Sequence, residues 1–307
     1  MAKFVELIKN DRKIEFIGKS KLFFLISACL ILLSLFLIFT KGLNLGIDFA
    51  GGTVIQLKYD KSPNIGDLRK AIDELKIGDY SIQHFGNPNE VIIRLGKTKD
   101  IPLDELSKTI KSKLSTVETG NKFVIERIEQ VGPQVGYELK YKASMALIYA
   151  TIGVLIYVAI RFEIIYAIGA ILALVHDVII TLGALSISGK EFNLTVVAAL
   201  LALIGYSLND TIVVYDRIRE RLKNSTGNLP LQQIINSSIN ETLSRTIITS
   251  LLTFLTVFAL MIFGGEVIKP FAFTLVVGIV VGTYSSIGIA SSLVFLTKKI
   301  KINKKVG

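Results

Sequence analysis

Residues 194–215 read LTVVAALLALIGYSLNDTIVVY, a long apolar run that carries Asn209 and Asp210 near its end. A helix rises 1.5 Å per residue, so about 20 such residues cross the ~30 Å hydrocarbon core of a bilayer. Five more apolar runs of comparable length cover residues 22–39, 143–160, 164–187, 243–263 and 268–296. The pattern predicts a polytopic α-helical membrane protein with six transmembrane helices.

The composition of the 307-residue chain agrees with this fold class. It is 51% hydrophobic yet 20% charged, which excludes both a disordered chain and an ordinary soluble domain. The first apolar run follows lysines as a signal peptide does, but it is too long and has no small-residue cleavage site after it, so we expect an uncleaved anchor. The expected parts are an N-tail 1–21, a first helix 22–40, an exported insert 41–142, a five-helix bundle 143–297 with a loop at about 216–242, and a basic C-tail 298–307.

Basic residues predict the orientation of the chain. The two tails, the Arg161 turn and residues 216–245 contain 17 Lys and Arg, whereas the two short loops on the opposite side contain only Lys190 and Lys269. By the positive-inside rule both termini and the 216–242 loop lie in the cytoplasm. Nucleic-acid binding is the alternative reading of the basic runs, but each run abuts a span and none has interleaved aromatic residues.

The insert between the first two spans has its own pattern of secondary structure. Strand-like segments and amphipathic helical segments alternate along it, and the predicted order is 54–59 (strand), 67–76 (helix), 80–85 (strand), 90–95 (strand), a helix opened by Pro102, and 122–129 (strand). Gly86 to Asn89 is expected to form a four-residue hairpin turn. The β-α-β-β-α-β order matches the ferredoxin-like pattern, so we predict one α+β extracytoplasmic domain with surfaces for binding.

Catalytic and cofactor-binding motifs are missing from the sequence. His84 stands alone in a strand, and Cys29, the single cysteine, lies in the first span. Gly189 and Lys190 are followed by Glu191 instead of the Ser or Thr of a phosphate-binding loop. We therefore expect no enzymatic activity, no metal site and no cofactor.

A charged side chain inside a span costs about 2.5–3.5 kcal/mol on insertion scales, so we expect each ionisable residue there to be paired or to serve a function. Asp210 of the fourth span and Arg245 at the start of the fifth share a depth near the cytoplasmic side. Burial favours a protonated carboxyl and a nearby guanidinium favours an ionised one, so a small helix movement can switch the protonation of Asp210. A permanent buried ion pair that only fixes helix packing is the other interpretation. His176 and Asp177 of the third span are interpreted first as a structural pair that sets helix register, with a second proton carrier as the alternative. Asn209 is a further accessory polar residue.

Several motifs resemble the SecF family, the smaller subunits of the SecD–SecF accessory complexes of bacterial protein export, which are related to the resistance-nodulation-division transporters. The matching motifs are Gly46 to Thr53 with Asp48, Gly51 and Gly52; Val131, Gly132, Pro133, Gly136, Glu138 and Leu139; Ile204 to Thr211; Asp216 to Glu220; and Ser244 to Ser250. The glycines and Pro133 suit tight backbone turns at the two ends of the insert, so we expect structural roles for them.

The resemblance implies a function for the chain. It implies a multi-pass inner-membrane subunit that pairs with SecD beside the SecYEG channel, with YajC as a further partner, and that uses the proton-motive force to assist late translocation and release of an unfolded polypeptide. In that family the fourth-span Asp and the fifth-span Arg are associated with proton transfer, which assigns this role to Asp210 and Arg245. Two alternatives stay open: a half-unit of a proton-driven exporter of small molecules or lipids, and a passive scaffold for SecD.

Overall fold

A computed structural model describes residues 14–96, 102–117, 120–225 and 229–306, and for 301–306 the backbone alone. The rest of the predicted tails lies outside these residues. The chain divides into a unit made of residues 1–44 and 145–307 and a second unit made of residues 45–144.

Six helices of the described residues are long and apolar enough to span a membrane, which confirms the predicted number. The first is a 3₁₀ turn (Ile17–Lys19) followed by α1 (Ser20–Thr40), and the sixth is α9 (Lys269–Ser285) joined through a π-helical turn (Ser286–Ala290) to α10 (Ser291–Val306). The four between them are α5 (Pro133–Arg161), α6 (Ile164–Ser188), α7 (Leu194–Asn224) and α8 (Leu231–Phe263).

Burial differs sharply among the six helices. The third, fourth and sixth spans bury half or more of their apolar windows inside the protein, whereas the first, second and fifth bury less than a fifth. Leu32, Phe36 and Ile160 are among the large apolar side chains left on the outside. Such residues suit lipid or another membrane protein, so the third, fourth and sixth helices form the centre of the bundle.

The segment predicted as a loop at about 216–242 is helical over most of its length. Helix α7 continues to Asn224, and α8 begins at Leu231. Ile218 and Ile235 are fully buried in the core cluster at this end of the bundle, and that burial stabilises the two helical extensions. The prediction made these helices too short because it counted uninterrupted apolar residues, whereas the extensions are amphipathic.

The N-terminal segment is attached to the α8 extension by two asparagines. Asn236 Oδ1 accepts hydrogen bonds from the backbone N–H of Phe16 and Ile17, at 2.9 and 3.1 Å. Asn240 bonds both the N–H and the carbonyl of Ile14 at 2.9 Å. Ile17 is buried in the same core cluster, so backbone hydrogen bonds and apolar packing together fix the start of the first span.

Residues 45–144 contain the predicted strand and helix order. After a short helix α2 (Ile47–Ala50) come β2 (Gly52–Tyr59), α3 (Ile65–Leu75), β3 (Tyr80–Phe85), β4 (Asn87–Leu95), α4 (Leu103–Val117) and β5 (Phe123–Val131). The four strands form one antiparallel sheet in the order β3-β4-β2-β5. The buried residues of β2 and of both helices form one core, as the amphipathic patterns require. The described residues also contain two short strands, β1 (Asn44–Leu45) and β6 (Glu191–Phe192).

The hairpin turn in this unit differs from the prediction. The expected four-residue turn from Gly86 to Asn89 is wrong, because β4 already begins at Asn87 and Phe85 pairs with Asn87. Gly86 lies at the reversal with φ +79°, a region that a glycine reaches freely. The register then shifts between His84 and Phe85, so residues 88–90 of β4 have no partner on β3.

Candidate functional site

Asp210 lies on the inner side of α7 and is 4% exposed. Its Oδ2 accepts a hydrogen bond from Ser250 Oγ of α8 at 2.9 Å. Thr283 Oγ1 of α9 lies 2.9 Å from the same Ser250 hydroxyl. A buried carboxyl is thus connected by two hydroxyl groups across the fourth, fifth and sixth spans.

Arg245 lies close enough to Asp210 for its positive charge to act on the carboxyl. Its side chain is exposed, five residues before Ser250 on α8, and Asn209 beside Asp210 is exposed as well. Within the described ranges no ion pair of 4.0 Å or less joins Arg245 to Asp210. The structure therefore bonds Asp210 to Ser250 and leaves the exposed Arg245 guanidinium within electrostatic reach of the carboxyl but beyond ion-pair distance.

His176 and Asp177 form the centre of a second buried cluster, on α6. Their side chains are 3% and 1% exposed, and His176 Nδ1 lies 2.9 Å from Asp177 Oδ1. Asp177 Oδ2 accepts hydrogen bonds from Ser207 Oγ of α7 at 2.6 Å and from Ser285 Oγ of α9 at 2.8 Å. Both carboxyl oxygens are therefore bonded, and the third span is tied to the fourth and the sixth.

The imidazole extends this cluster to the first span. His176 Nε2 lies 2.9 Å from Ser27 Oγ, which lies 3.1 Å from Tyr284 Oη. Tyr284 Oη in turn donates to the Phe23 carbonyl at 2.8 Å. The hydrogen-bonded chain thus joins α1, α6 and α9.

Glycines let the helices approach closely enough for these contacts. A Cβ on Gly282 would lie 3.1 Å from the Ser207 side chain and 3.5 Å from Asp177 Oδ2. A Cβ on Gly278 would meet the Leu203 side chain. The π-helical turn begins at Ser286, directly after the Asp177 contact, and such turns are frequent at functional sites.

The signature residues near the two ends of the insert pack against each other within residues 45–144. A Cβ on Gly51 would lie 3.3 Å from Pro133 Cα, and one on Gly52 would collide with the Leu95 carbonyl oxygen. Gly51 and Gly52 also have positive φ values of 72° and 123°. Asp48 lies in α2, and Gly132 separates β5 from α5, which begins at Pro133. These positions suit the predicted structural roles.

Sequence reasoning missed the hydroxyl partner of Asp210 and the two hydroxyl groups that connect His176 to the first span. Ser27, Ser250 and Tyr284 each interrupt an apolar run, and that polarity was the available signal. Their directions depend on how each helix is rotated in the bundle. Among the described residues no group of three or more His, Cys, Asp or Glu could hold a metal ion.

Comparison with known proteins identifies what the chain resembles. Residues 109–300 match the family model of the protein export membrane protein SecD/SecF, C-terminal, and residues 36–63 match the SecD/SecF GG motif. The protein translocase subunit SecF of Calditerrivibrio nitroreducens is 74% identical over 302 residues, which is 98% of this chain and 99% of that protein. The corresponding subunit of Magnetococcus marinus is 50% identical over 284 residues, 92% of this chain and 91% of that one.

A solved structure gives a similar result. The crystal structure of SecDF, a translocon-associated membrane protein from Thermus thermophilus, is 36% identical and superposes with a TM-score of 0.85. It covers 95% of this chain, which spans only 40% of the SecDF chain.

Proposed function

This chain belongs to the SecF family of protein translocase subunits, and from that premise we propose that it works with a SecD subunit to couple proton flow to the late translocation and release of exported polypeptides. The chain is a multi-pass membrane protein of the protein-export machinery. The observation that carries the proton-coupled part of the proposal is the buried carboxyl of Asp210, bonded across three spans.

The proposed location is the bacterial inner membrane, with both termini in the cytoplasm. The excess of Lys and Arg on one side, 17 against 2, supports this orientation. Residues 41–142 then form a periplasmic domain and residues 216–242 lie on the cytoplasmic side. We assign the periplasmic domain to the ferredoxin-like pattern, and its β3-β4-β2-β5 antiparallel order supports that assignment.

The exposed polar residues of the fourth and fifth spans favour a protein partner at that surface. Arg245 and Asn209 are exposed in this chain although both lie within apolar spans. An arginine facing hydrocarbon costs at least about 2.5–3.5 kcal/mol, so a polar surface or a hydrated cleft must cover it. We assign this cover to SecD, which makes up the accessory complex together with this subunit.

Proton movement at Asp210 then changes the bonds between helices. Ionised Asp210 binds the Ser250 hydroxyl as a charge-assisted acceptor, and protonation removes that charge and weakens the bond. One proton crossing about 100 mV supplies ~2.3 kcal/mol, which is comparable to the worth of such a bond. The contact between the fourth and fifth spans therefore weakens when Asp210 gains a proton and strengthens when it loses the proton. Arg245, at the surface that SecD covers, attracts the ionised carboxylate.

The remaining partners in the proposal come from the family. The SecYEG channel delivers the unfolded polypeptide, residues 41–142 contact it on the periplasmic side, and YajC accompanies the complex. Lipid covers the apolar outer faces of the first, second and fifth spans, whose side chains are largely exposed in this chain.

The proposal is tested with Asp210→Asn in membrane vesicles that contain the chain, SecD and SecYEG. Asparagine keeps the shape of the side chain and cannot ionise. The matched control is Glu163→Gln, which also removes one carboxylate, from an exposed residue 3.4 Å from Lys298. We expect an imposed proton gradient to accelerate late export in the wild type and in E163Q and to have no effect in D210N.

Two outcomes would contradict the proposal. If vesicles with the D210N chain exported the polypeptide at the full gradient-stimulated rate, the subunit would be only a scaffold for SecD. Crosslinking from residues 41–142 that recovers a small ligand, and never the polypeptide in transit, would favour an exporter.

A further inference from the structure

A chain of hydrogen bonds in the bundle runs from a backbone carbonyl to a buried carboxyl. Tyr284 Oη lies 2.8 Å from the Phe23 carbonyl oxygen and 3.1 Å from Ser27 Oγ. Ser27 Oγ lies 2.9 Å from His176 Nε2, and on the other side of the ring His176 Nδ1 lies 2.9 Å from Asp177 Oδ1. His176, Asp177 and Ser27 are each less than 5% exposed. Because each hydroxyl has one proton, the direction of every bond can be deduced from the fixed end.

The carbonyl end sets the direction of the whole chain. A carbonyl only accepts, so the Tyr284 hydroxyl proton points to Phe23. Tyr284 Oη must then accept from Ser27, whose own proton is thereby used. Ser27 Oγ can therefore only accept from His176, and Nε2 must carry a hydrogen.

The contact between His176 Nδ1 and Asp177 Oδ1 allows two arrangements of the pair, and both contain the same number of protons. If Nδ1 also carries a hydrogen, His176 is an imidazolium that donates to ionised Asp177. If Nδ1 is bare, Asp177 must be protonated and donate to it. In both arrangements the pair holds one proton more than a neutral histidine beside a carboxylate, and its net charge is zero, which suits a site of low dielectric.

The surroundings favour the first arrangement. Ser207 and Ser285 both donate to Asp177 Oδ2, and hydrogen bonds to a carboxylate stabilise its ionised form. The first span contributes the uncharged Ser27, the sixth span contributes Tyr284, and the fourth span carries Asp210 one turn beyond Ser207.

The geometry points to His176 and Asp177 as a second proton-holding site of the bundle, separate from Asp210, whose occupancy controls a tie between the sixth and first spans. When the pair loses its proton, Nε2 becomes an acceptor and Ser27 must donate to it. Ser27 then has no hydrogen left for Tyr284, whose hydroxyl can donate either to Ser27 Oγ or to the Phe23 carbonyl but not to both. Release of the proton thus removes one of the two hydrogen bonds that Tyr284 makes to α1. This site does not depend on the proposed role of Asp210.

The small number of histidines makes the protonation of His176 directly measurable. The chain contains two, and His84 is exposed on β3. A full-length His84→Gln chain labelled with ¹⁵N-histidine, placed in lipid bilayers alone and with unlabelled SecD, gives the NMR signals of His176 only. We expect Nε2 to be of the protonated type at pH 7. An unprotonated Nε2 with a protonated Nδ1 at that pH would overturn the inference, whatever the export assay gives.

Two tyrosine variants in the same background test the link to Tyr284. Tyr284→Phe keeps the ring, removes the hydroxyl and frees Ser27 to donate to Nε2. We expect the ratio of protonated to unprotonated Nε2 signal, measured at one fixed pH, to fall about tenfold, because Ser27 can then donate to the bare nitrogen. The control is Tyr206→Phe, since the buried Tyr206 hydroxyl has no hydrogen-bond partner among the described residues, and it should leave that ratio unchanged. Equal ratios in the two variants would refute the coupling.

Discussion

Replacing Gly183 by alanine should push the first span away from the third. A Cβ at this position would lie 2.7 Å from Ser34 Cα and would also collide with the Ser34 Cβ and Oγ atoms. Carbon atoms in contact prefer about 3.5–4.0 Å, so α1 must move by roughly 1 Å. Overpacking of this kind costs about 1–3 kcal/mol.

The same shift reaches the buried cluster on α6. Ser27 lies two helical turns before Ser34 on the same side of α1, and its Oγ is 2.9 Å from His176 Nε2. A displacement of roughly 1 Å stretches this distance beyond hydrogen-bond range, and the lost bond adds about 0.5–1.5 kcal/mol. The total expected loss in unfolding free energy is about 2–4 kcal/mol.

The assay is unfolding of the purified chain in mixed micelles with increasing denaturing detergent. The matched control is Gly153→Ala on the second span, where a Cβ would meet nothing within 4 Å, so it reports the effect of the methyl group alone. Ser34→Gly removes two of the three colliding atoms and should recover part of the loss in a double-mutant cycle. A G183A chain as stable as G153A, or one indifferent to S34G, would refute this packing argument.

Three further changes have equally specific outcomes. Gly52→Ala places a Cβ against a backbone oxygen of β4 at a φ of 123°, so limited proteolysis should cleave residues 45–144 faster than in the wild type. Burial and the hydrogen bond to Asp73 raise the pKa of Tyr80 from 10.0 to about 12. The folded state therefore gains stability from the protonated Tyr80 hydroxyl below about pH 10 and loses it as the pH rises toward 12. In Tyr80→Phe the unfolding free energy should no longer show this decrease between about pH 9 and 12. Asn236→Ala removes the acceptor for the Ile17 amide, whose hydrogen exchange should accelerate about tenfold, while unchanged exchange would mean that the asparagine does not fix the N-terminal segment.

Local patterns made much of the fold predictable. Apolar length gave the six spans, and alternation and amphipathicity gave the strands and helices of residues 45–144. The helical extensions to Asn224 and from Leu231 were missed because their stability comes from burying isolated side chains such as Ile235 in the tertiary structure. The early start of β4 depends on the positive φ of Gly86, which the residue type permits without requiring.

The candidate site was predictable in composition and unpredictable in geometry. Asp210 and Asp177 stand out in the sequence because carboxyls are costly in apolar spans. Which neighbour each acid meets depends on the rotation of the helices about their axes. Arg245 and Ser250 both lie on α8, and only the structure shows that Ser250 faces Asp210 while Arg245 faces outward.

Proton flux into liposomes that contain this chain together with SecD tests the central claim about Asp210 most directly. With a pH-sensitive dye inside, an imposed gradient should produce a flux in the wild type and in E163Q, because the exposed Glu163 takes no part in the path. The flux should disappear in D210N. An undiminished flux through D210N would show that protons cross by a route that does not involve this carboxyl, and Asp210 would then not couple proton flow to export.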